Sequence, residues 1–217
     1  MLYIVGTPIG NLKDITLRAL EVLKSVFLIA CEDTRHTRIL LQHYGITTAT
    51  TSYFQHNRFA KGEYIIGLLK EGKDVALVSD AGMPGISDPG YHLINLAIKN
   101  DLALTVIPGP TALINALVLS GKPAHVFFFQ GFLPVKQGAR KTRLKELLQK
   151  KETIILYESC HRLLATLEDI DAIFGKRDTV CARELTKKFE EIKRGTARAL
   201  REHFQGSRPR GEFVIIL

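Results

Sequence analysis

The chain has 217 residues, is 46% hydrophobic and carries a formal net charge of +8, from 30 Lys and Arg against 22 Asp and Glu. That is enough apolar material for a buried core in one large or two modest domains, and it excludes a disordered tail. No apolar run approaches the about 20 residues that a membrane helix needs, and the opening MLYIVGTPIG shows neither a basic leader nor a cleavage pattern. The expectation is a cytoplasmic protein with no membrane partner.

In chain order, strands and helices alternate through the first half. Leu2–Val5 is a short apolar run, and 17–25 has helical spacing with Asp14 or Thr16 as a possible N-cap. Residues 26–31 read as a strand, 35–44 as a helix stopped by Gly45, and 47–53 as a β-branched strand. A helix over 58–70 closes at Gly72. A strand over 75–79, a helix over 91–100, a strand over 102–107 and a helix over 111–120 follow. Repeated β-α units with unbroken apolar strands predict a mainly parallel sheet covered by helices on both faces. Gly121-Lys122-Pro123 is the candidate boundary between domains over 1–121 and 122–217. After it, strands over 126–129, 153–157, 180–185, 189–194 and 213–217 alternate with helices over 136–151, 163–173 and 197–204, predicting a mixed α+β domain.

Three strand ends carry Gly/Pro loops: VGTPIGN (5–11), LVSDAGMPGISDPG (77–90) and PGPTA (108–112). They should lie side by side at the carboxyl edge of one sheet, where open α/β folds bind ligands. The first loop lacks the GxGxxG spacing of a dinucleotide site. The second is longer than ordinary βα loops and is stiffened by Pro84 and Pro89. Asp80, at its root, is placed to accept hydrogen bonds from a ligand, or to serve the fold alone. Asp88 is read as a possible cap of the next helix. CEDTRHTR (31–38) is either an ion-paired helix start or a polar cluster that orients substrate on the same edge. In the 136–151 segment, Lys136, Arg140, Lys141, Arg143, Lys145, Lys150 and Lys151 face one acid, Glu146. This is either a solvated helix or a phosphate-tracking surface for RNA. Cys31, Cys160 and Cys181 form no CxxC pair, and His36 and His43 lack a carboxylate at ligand spacing, so no metal site is expected. There is also no GxSxG elbow and no phosphate-binding GxxxxGK[ST] loop.

VGTPIGNLKDIT, CEDTRHT, LVSDAGMPGISDPG, VIPGPTALINALVLSG, GFLP, YESCHRL, ARELTKKFEE, RGT and GEFV occur in this order from Leu2 to Leu217. This set closely resembles the small-subunit ribosomal RNA cytidine 2′-O-methyltransferases of the tetrapyrrole-methylase-like class. The resemblance implies a two-domain α/β homodimer that binds S-adenosylmethionine between its domains. It also implies methylation of the 2′-hydroxyl of cytidine 1402 in 16S rRNA of the small ribosomal subunit. It assigns the cofactor to Thr7, Pro8, Ile9 and Gly10; to Ser79, Asp80, Ala81, Gly82 and Met83, with Ile86 nearby; and to Thr111 and Ala112. From the second domain it adds Tyr157, Glu158, Ala182, Arg183 and Leu185. Asp33, His36 and Glu184 are the candidates for a base at the ribose hydroxyl. Arg35, Lys136, Arg140, Lys141 and Arg143 are the candidates for RNA contact. Members of that family often continue past the GEFV strand where this sequence stops, and many carry threonine where Met83 stands. The rival readings are a tetrapyrrole or other small-molecule methyltransferase, and a non-catalytic RNA- or nucleotide-binding module.

Overall fold

The computed structural model describes residues 1–206 and 209–217. It divides into two compact units, Met1–Thr111 and Ala112–Leu217.

In the first unit the order is β1 (Leu2–Val5), a single 3-10 turn (Leu12–Asp14), α1 (Leu17–Ser25), β2 (Leu28–Cys31), α2 (Thr34–His43) and β3 (Thr50–Ser52). Then come α3 (Arg58–Lys70), β4 (Val75–Leu77), α4 (Gly90–Lys99) and β5 (Leu104–Ile107). The strands form one parallel sheet in the order β3-β2-β4-β1-β5. Its inner strands β1, β2 and β4 are covered on both faces, which explains their unbroken apolar runs. On one face Ile29, Cys31, Ala76 and Val78 pack with Ala19, Leu23, Leu40 and Leu41 of α1 and α2. On the other, Leu28, Ala30, Val75 and Leu77 pack with Ile65, Ile66, Leu69, Leu93 and Ala97 of α3 and α4. The helices begin where the caps dictate: Thr16 accepts the Ala19 N–H at 3.1 Å, and Asp33 accepts the Arg35 N–H at 2.8 Å. Thr16, not Asp14, is therefore the cap of α1. β3 is shorter than the β-branched run that announced it.

The second unit runs α5 (Ala112–Ser120), β6 (Phe127–Phe132), α6 (Gln137–Leu148), β7 (Thr153–Ser159), α7 (Leu163–Phe174), β8 (Asp178–Arg183), β9 (Glu191–Thr196), α8 (Ala197–Gln205) and β10 (Glu212–Ile216). Its sheet has the order β6-β7-β10-β8-β9, with β6 and β7 parallel and the other neighbours antiparallel. The mixed α+β character is as expected. Leu144, Leu147, Leu163, Leu167, Leu200 and Phe204 of α6, α7 and α8 cover one face through Ile154, Leu156, Phe213 and Ile215. β6 continues past Phe129 across an irregularity before Gly131, so the aromatic run is only its first half.

The division between units falls before α5, not at Gly121-Lys122-Pro123. Gly121 does close α5, at φ +70°. However, α5 packs on β7, β8, β9 and β10, so its apolar face belongs to the second core. A Gly-Lys-Pro turn marks the end of a helix and does not say which sheet that helix covers.

Candidate active site

The adjacency β4-β1-β5 in the first sheet brings the three glycine loops together, because parallel neighbours end at the same edge. The loops meet backbone to backbone. A Cβ on Gly6 would lie 2.8 Å from the Gly109 Cα and 3.1 Å from the Met83 Sδ. A Cβ on Gly109 would lie 2.8 Å from the Gly6 Cα. The first and second loops exchange hydrogen bonds: the Thr7 N–H donates to the Gly82 carbonyl at 2.9 Å, and the Gly82 N–H donates to the Thr7 carbonyl at 3.0 Å. The buried Thr7 hydroxyl donates to the Ser79 carbonyl at 3.1 Å. Gly82, at φ +80°, packs beside Ile9 and the Pro110 carbonyl. Thr7, Pro8, Ile9, Ser79 and Gly82 are buried, whereas Gly10, Ala81 and Ile86 reach the surface and Met83 and Thr111 are half-buried. The sequence-based list thus mixes residues that shape the cradle with residues that line it. Gly6 and Gly109, which permit the closest approach, lie in the same motifs but are not among the residues assigned to the cofactor from sequence.

Asp80 joins this cradle to the neighbouring loop, accepting the Asp33 N–H at 3.0 Å. Asp88 accepts the Gly85 N–H at 2.9 Å and the Gly90 N–H at 2.7 Å, bracing the long loop and the start of α4. Burial pushes the Asp88 carboxyl up from its ordinary value, against those two hydrogen bonds. Asp33 caps α2 and takes both Nε and Nη2 of Arg35, at 3.1 and 2.8 Å. Those bonds hold its carboxyl well below the usual range, so it is a weak base. Its neighbour Glu32, passed over in the candidate list, is half-buried and shifted upward, by burial first and then by the charges of Asp80, Asp88 and Asp33. His36 is exposed on the first turn of α2.

The second-unit candidates fare unevenly. Glu184 sits at φ +50° and accepts the Glu212 N–H at 3.0 Å and the Lys187 ammonium at 2.9 Å. Although its burial works the other way, these partners leave its carboxyl below the ordinary value, so it too is a weak base. The Glu158 side chain is not free for a ligand: it is buried, accepts the Thr166 hydroxyl at 2.6 Å and pairs with Arg162 at 2.7 Å. Tyr157 is half-buried, with its ring edge-on to Phe129 and Phe132 at centroid distances of 5.0 and 5.7 Å. Ala182 and Leu185 are buried, and the Arg183 Nε donates to the Arg210 carbonyl at 2.9 Å.

The basic helix α6 requires one correction. Arg140, Leu144 and Leu147 form its buried stripe at helical spacing. Arg140 is 4% exposed, and its guanidinium donates to the Asp169 carboxylate at 2.7 Å, so it is not available to a phosphate. Lys136 is exposed, Lys141 lies 3.5 Å from Asp169, and Arg143 donates to Gln130 at 2.8 Å and pairs with Glu146. Arg35 is largely exposed despite its bonds to Asp33. Among the described residues no group of three His, Cys, Asp or Glu is placed to hold a metal ion, and no helix is long and apolar enough to cross a membrane.

A parallel sheet with glycine loops packed at its carboxyl edge, joined in sequence to a mixed sheet, defines the α/β tetrapyrrole-methylase fold. The uroporphyrin-III-C-methyltransferase of Thermus thermophilus has it, at a TM-score of 0.70 and 20% identity over 99% of this chain and 93% of that one. The family model for Tetrapyrrole (Corrin/Porphyrin) Methylases matches residues 1–201, and the chain belongs to that family. It is 50% identical over 216 residues to the "Ribosomal RNA small subunit methyltransferase I" of Mesorhizobium japonicum, covering 99% of this chain and 74% of the relative. It is 46% identical to the protein of the same name from Thermotoga maritima, covering 100% and 97%.

Proposed function

We propose that this chain methylates the ribose 2′-hydroxyl of cytidine 1402 in 16S rRNA of the small ribosomal subunit. The identity of 50% along almost the whole chain to a relative named for small-subunit rRNA methylation carries this reading. The family implies S-adenosylmethionine as methyl donor, and the first unit suits it. Its glycine loops leave backbone where side chains would fill space, as at Gly6 and Gly109. Residues of the three loops, with Ile86 at their surface and Met83 and Thr111 half-buried, are the proposed holders. When bound, the cofactor supplies an electrophilic sulfonium methyl, so most of the acceleration falls to positioning.

The protein's part is to present the ribose oxygen in line and to take its proton. Glu32, on the loop that Asp80 pins beside the cradle, and His36, on the first turn of α2 that follows, are the proposed bases. Asp33 and Glu184 drop out because their partners favour the ionised form. Lys136, Lys141, Arg143 and Arg35 are the proposed phosphate contacts. A homodimer is the proposed assembly, and the exposed apolar side chains of Leu17, Ile39, Val118 and Val135 offer surface for it.

The test is transfer of labelled methyl from S-adenosylmethionine into unmethylated small subunits, with a uroporphyrinogen-type substrate in parallel. Label in the 16S RNA at the 2′-oxygen is expected; label only in the tetrapyrrole sinks the reading. In single turnover, Glu32→Gln or His36→Ala should slow transfer more than about 10-fold. If both stay within about 3-fold, neither is the base.

A further inference from the structure

The glycine cradle occupies the ends of β4, β1 and β5. The carboxyl ends of β2 and β3 remain, and they are neighbours, paired in parallel through Ile29–Thr50 and Cys31–Ser52. The segment SYFQHNRF (52–59), from the end of β3 through its loop into the start of α3, is no part of the site expected from sequence, yet it stands on the same edge. From Thr47 to Gly62 the chain contains no acidic residue, while His56, Arg58 and Lys61 fall within it. His36 and Arg38 lie exposed on α2, whose start follows the end of β2.

Phe59 is 64% exposed. A single exposed phenyl ring is common and needs no explanation. This one is held in place on several sides. The Arg58 guanidinium lies 5.0 Å from its ring centroid and donates to the Gln55 side chain at 2.7 Å. The His92 ring meets Phe59 edge-on at 5.0 Å. His92 is in turn fixed by its Nδ1, 3.1 Å from the hydroxyl of Tyr53, a residue 1% exposed. Below them Asn57 locks the loop, accepting the Phe54 N–H at 2.8 Å and donating to the Ser52 carbonyl at 3.1 Å. Lys61 repeats the pattern over the exposed Tyr64 at 5.3 Å. The result is a fixed aromatic surface edged by cations, with Glu63, one turn after Phe59 on α3, as the first acid in sequence. Such surfaces bind unpaired nucleotides, with bases stacking on the rings and phosphates meeting the charges.

We propose that the β3–α3 loop and the first turn of α3 form a single-stranded RNA grip. In it, Phe59 with Arg58 stacks an unpaired base flanking the methylated nucleotide, and His56 and Lys61 meet the adjoining phosphates. The proposal rests on the rRNA methylation reading and adds to it the place where the acceptor strand is held. A matched comparison exists on the same sheet. Phe27 is 51% exposed and has Lys73 over its ring at 4.6 Å, but it precedes β2 and so lies at the amino edge. The two aromatic-cation pairs differ in the edge they occupy.

The experiment measures fluorescence anisotropy of a short labelled single-stranded RNA containing cytidine, with its duplex as comparison. Calorimetry of S-adenosylmethionine and steady-state methylation of unmethylated small subunits accompany it. Phe59→Ala is expected to weaken single-strand binding about 10-fold, the order of one lost stacked base, and to raise KM for subunits similarly with kcat kept. Phe59→Trp should bind within about 2-fold of the parent, Phe27→Ala should bind like the parent, and cofactor affinity should not change in any variant. Parental affinity in Phe59→Ala, an equal loss in Phe27→Ala, or a parent protein that prefers the duplex overturns the grip. If the parent methylates subunits while Phe59→Ala changes nothing, the grip fails and the rRNA reading stands. If the parent transfers no methyl to subunits, both fall.

Discussion

The two edges of the first sheet are made from the same five strands and are built differently. At the amino edge the connections are short returns: 26–27 before β2, 71–74 before β4, and 100–103 before β5. Gly72, at φ +79°, has open space where its Cβ would be, so it serves the turn alone. At the carboxyl edge the connections after β1 and β4 are longer, and the glycines are crowded. Gly6 and Gly109 touch at a distance no side chain allows, and a Cβ on Gly90 would lie 2.7 Å from the Asp88 carboxylate. Glycine at one edge satisfies the chain's own bend. At the other it removes side chains so that three loops can close on one another and on a ligand.

That difference can be broken deliberately. Gly109→Ala forces a methyl group against the Gly6 backbone and should have the largest effect. Overpacking there is expected to cost about 1–3 kcal/mol in thermal unfolding and more than about 10-fold in S-adenosylmethionine affinity by calorimetry. An unchanged affinity would mean that the contact does not shape the cofactor site. Thr7→Val removes the buried hydroxyl that serves the Ser79 carbonyl. It should cost about 1–2 kcal/mol in denaturant unfolding, with a smaller drop in affinity. Gly72→Ala places a side chain in the left-handed region in open space. It should cost about 1 kcal/mol and leave cofactor affinity alone; a parallel loss of affinity would abolish the distinction between the edges.

Asp88→Asn should have the smallest effect and the most diagnostic pH dependence. The folded carboxyl is shifted upward by burial, so its ionisation works against folding at neutral pH. That cost disappears as pH falls through the raised folded value towards the ordinary 3.8. Oδ1 already accepts both the Gly85 and Gly90 N–H groups, at 2.9 and 2.7 Å, so asparagine can keep the bonds. Asp88→Asn should therefore match or slightly exceed the parent Tm near pH 7 and lose any advantage in acid. A Tm lower than the parent at pH 7 would show that the charge itself holds the loop.

The strands and helices were legible because each carries its own signal: apolar runs for strands covered on both faces, helical spacing and capping residues for α1 and α2. The grouping of the glycine loops followed from parallel topology. Partnership was not legible. Arg140 looks like every other cation of its helix until Asp169, 29 residues on, claims it in the core. Asp33 and Glu32 are neighbours in sequence, yet their carboxyls move in opposite directions, because one caps a helix and holds Arg35 while the other is drawn inward among like charges. The allegiance of α5 was hidden for the same reason, since its spacing shows an apolar face but not the sheet that covers it. The β3–α3 loop did carry a signal, aromatic and basic residues without an acid. It is masked because the β-branched run over 47–53 reads as a strand through Tyr53, whereas β3 ends at Ser52.

The mutual bonds between Thr7 and Gly82, beside the Gly6–Gly109 contact, bear on how the cradle moves. Because each loop is latched to the next by main chain, none can swing away alone; the Gly6 N–H also donates to the Ile107 carbonyl at 3.2 Å. The three loops should open as one cooperative unit. Amide hydrogen exchange at Gly6, Thr7 and Gly82 would then share a single opening free energy, and a ligand bound to any one loop would slow exchange at all three.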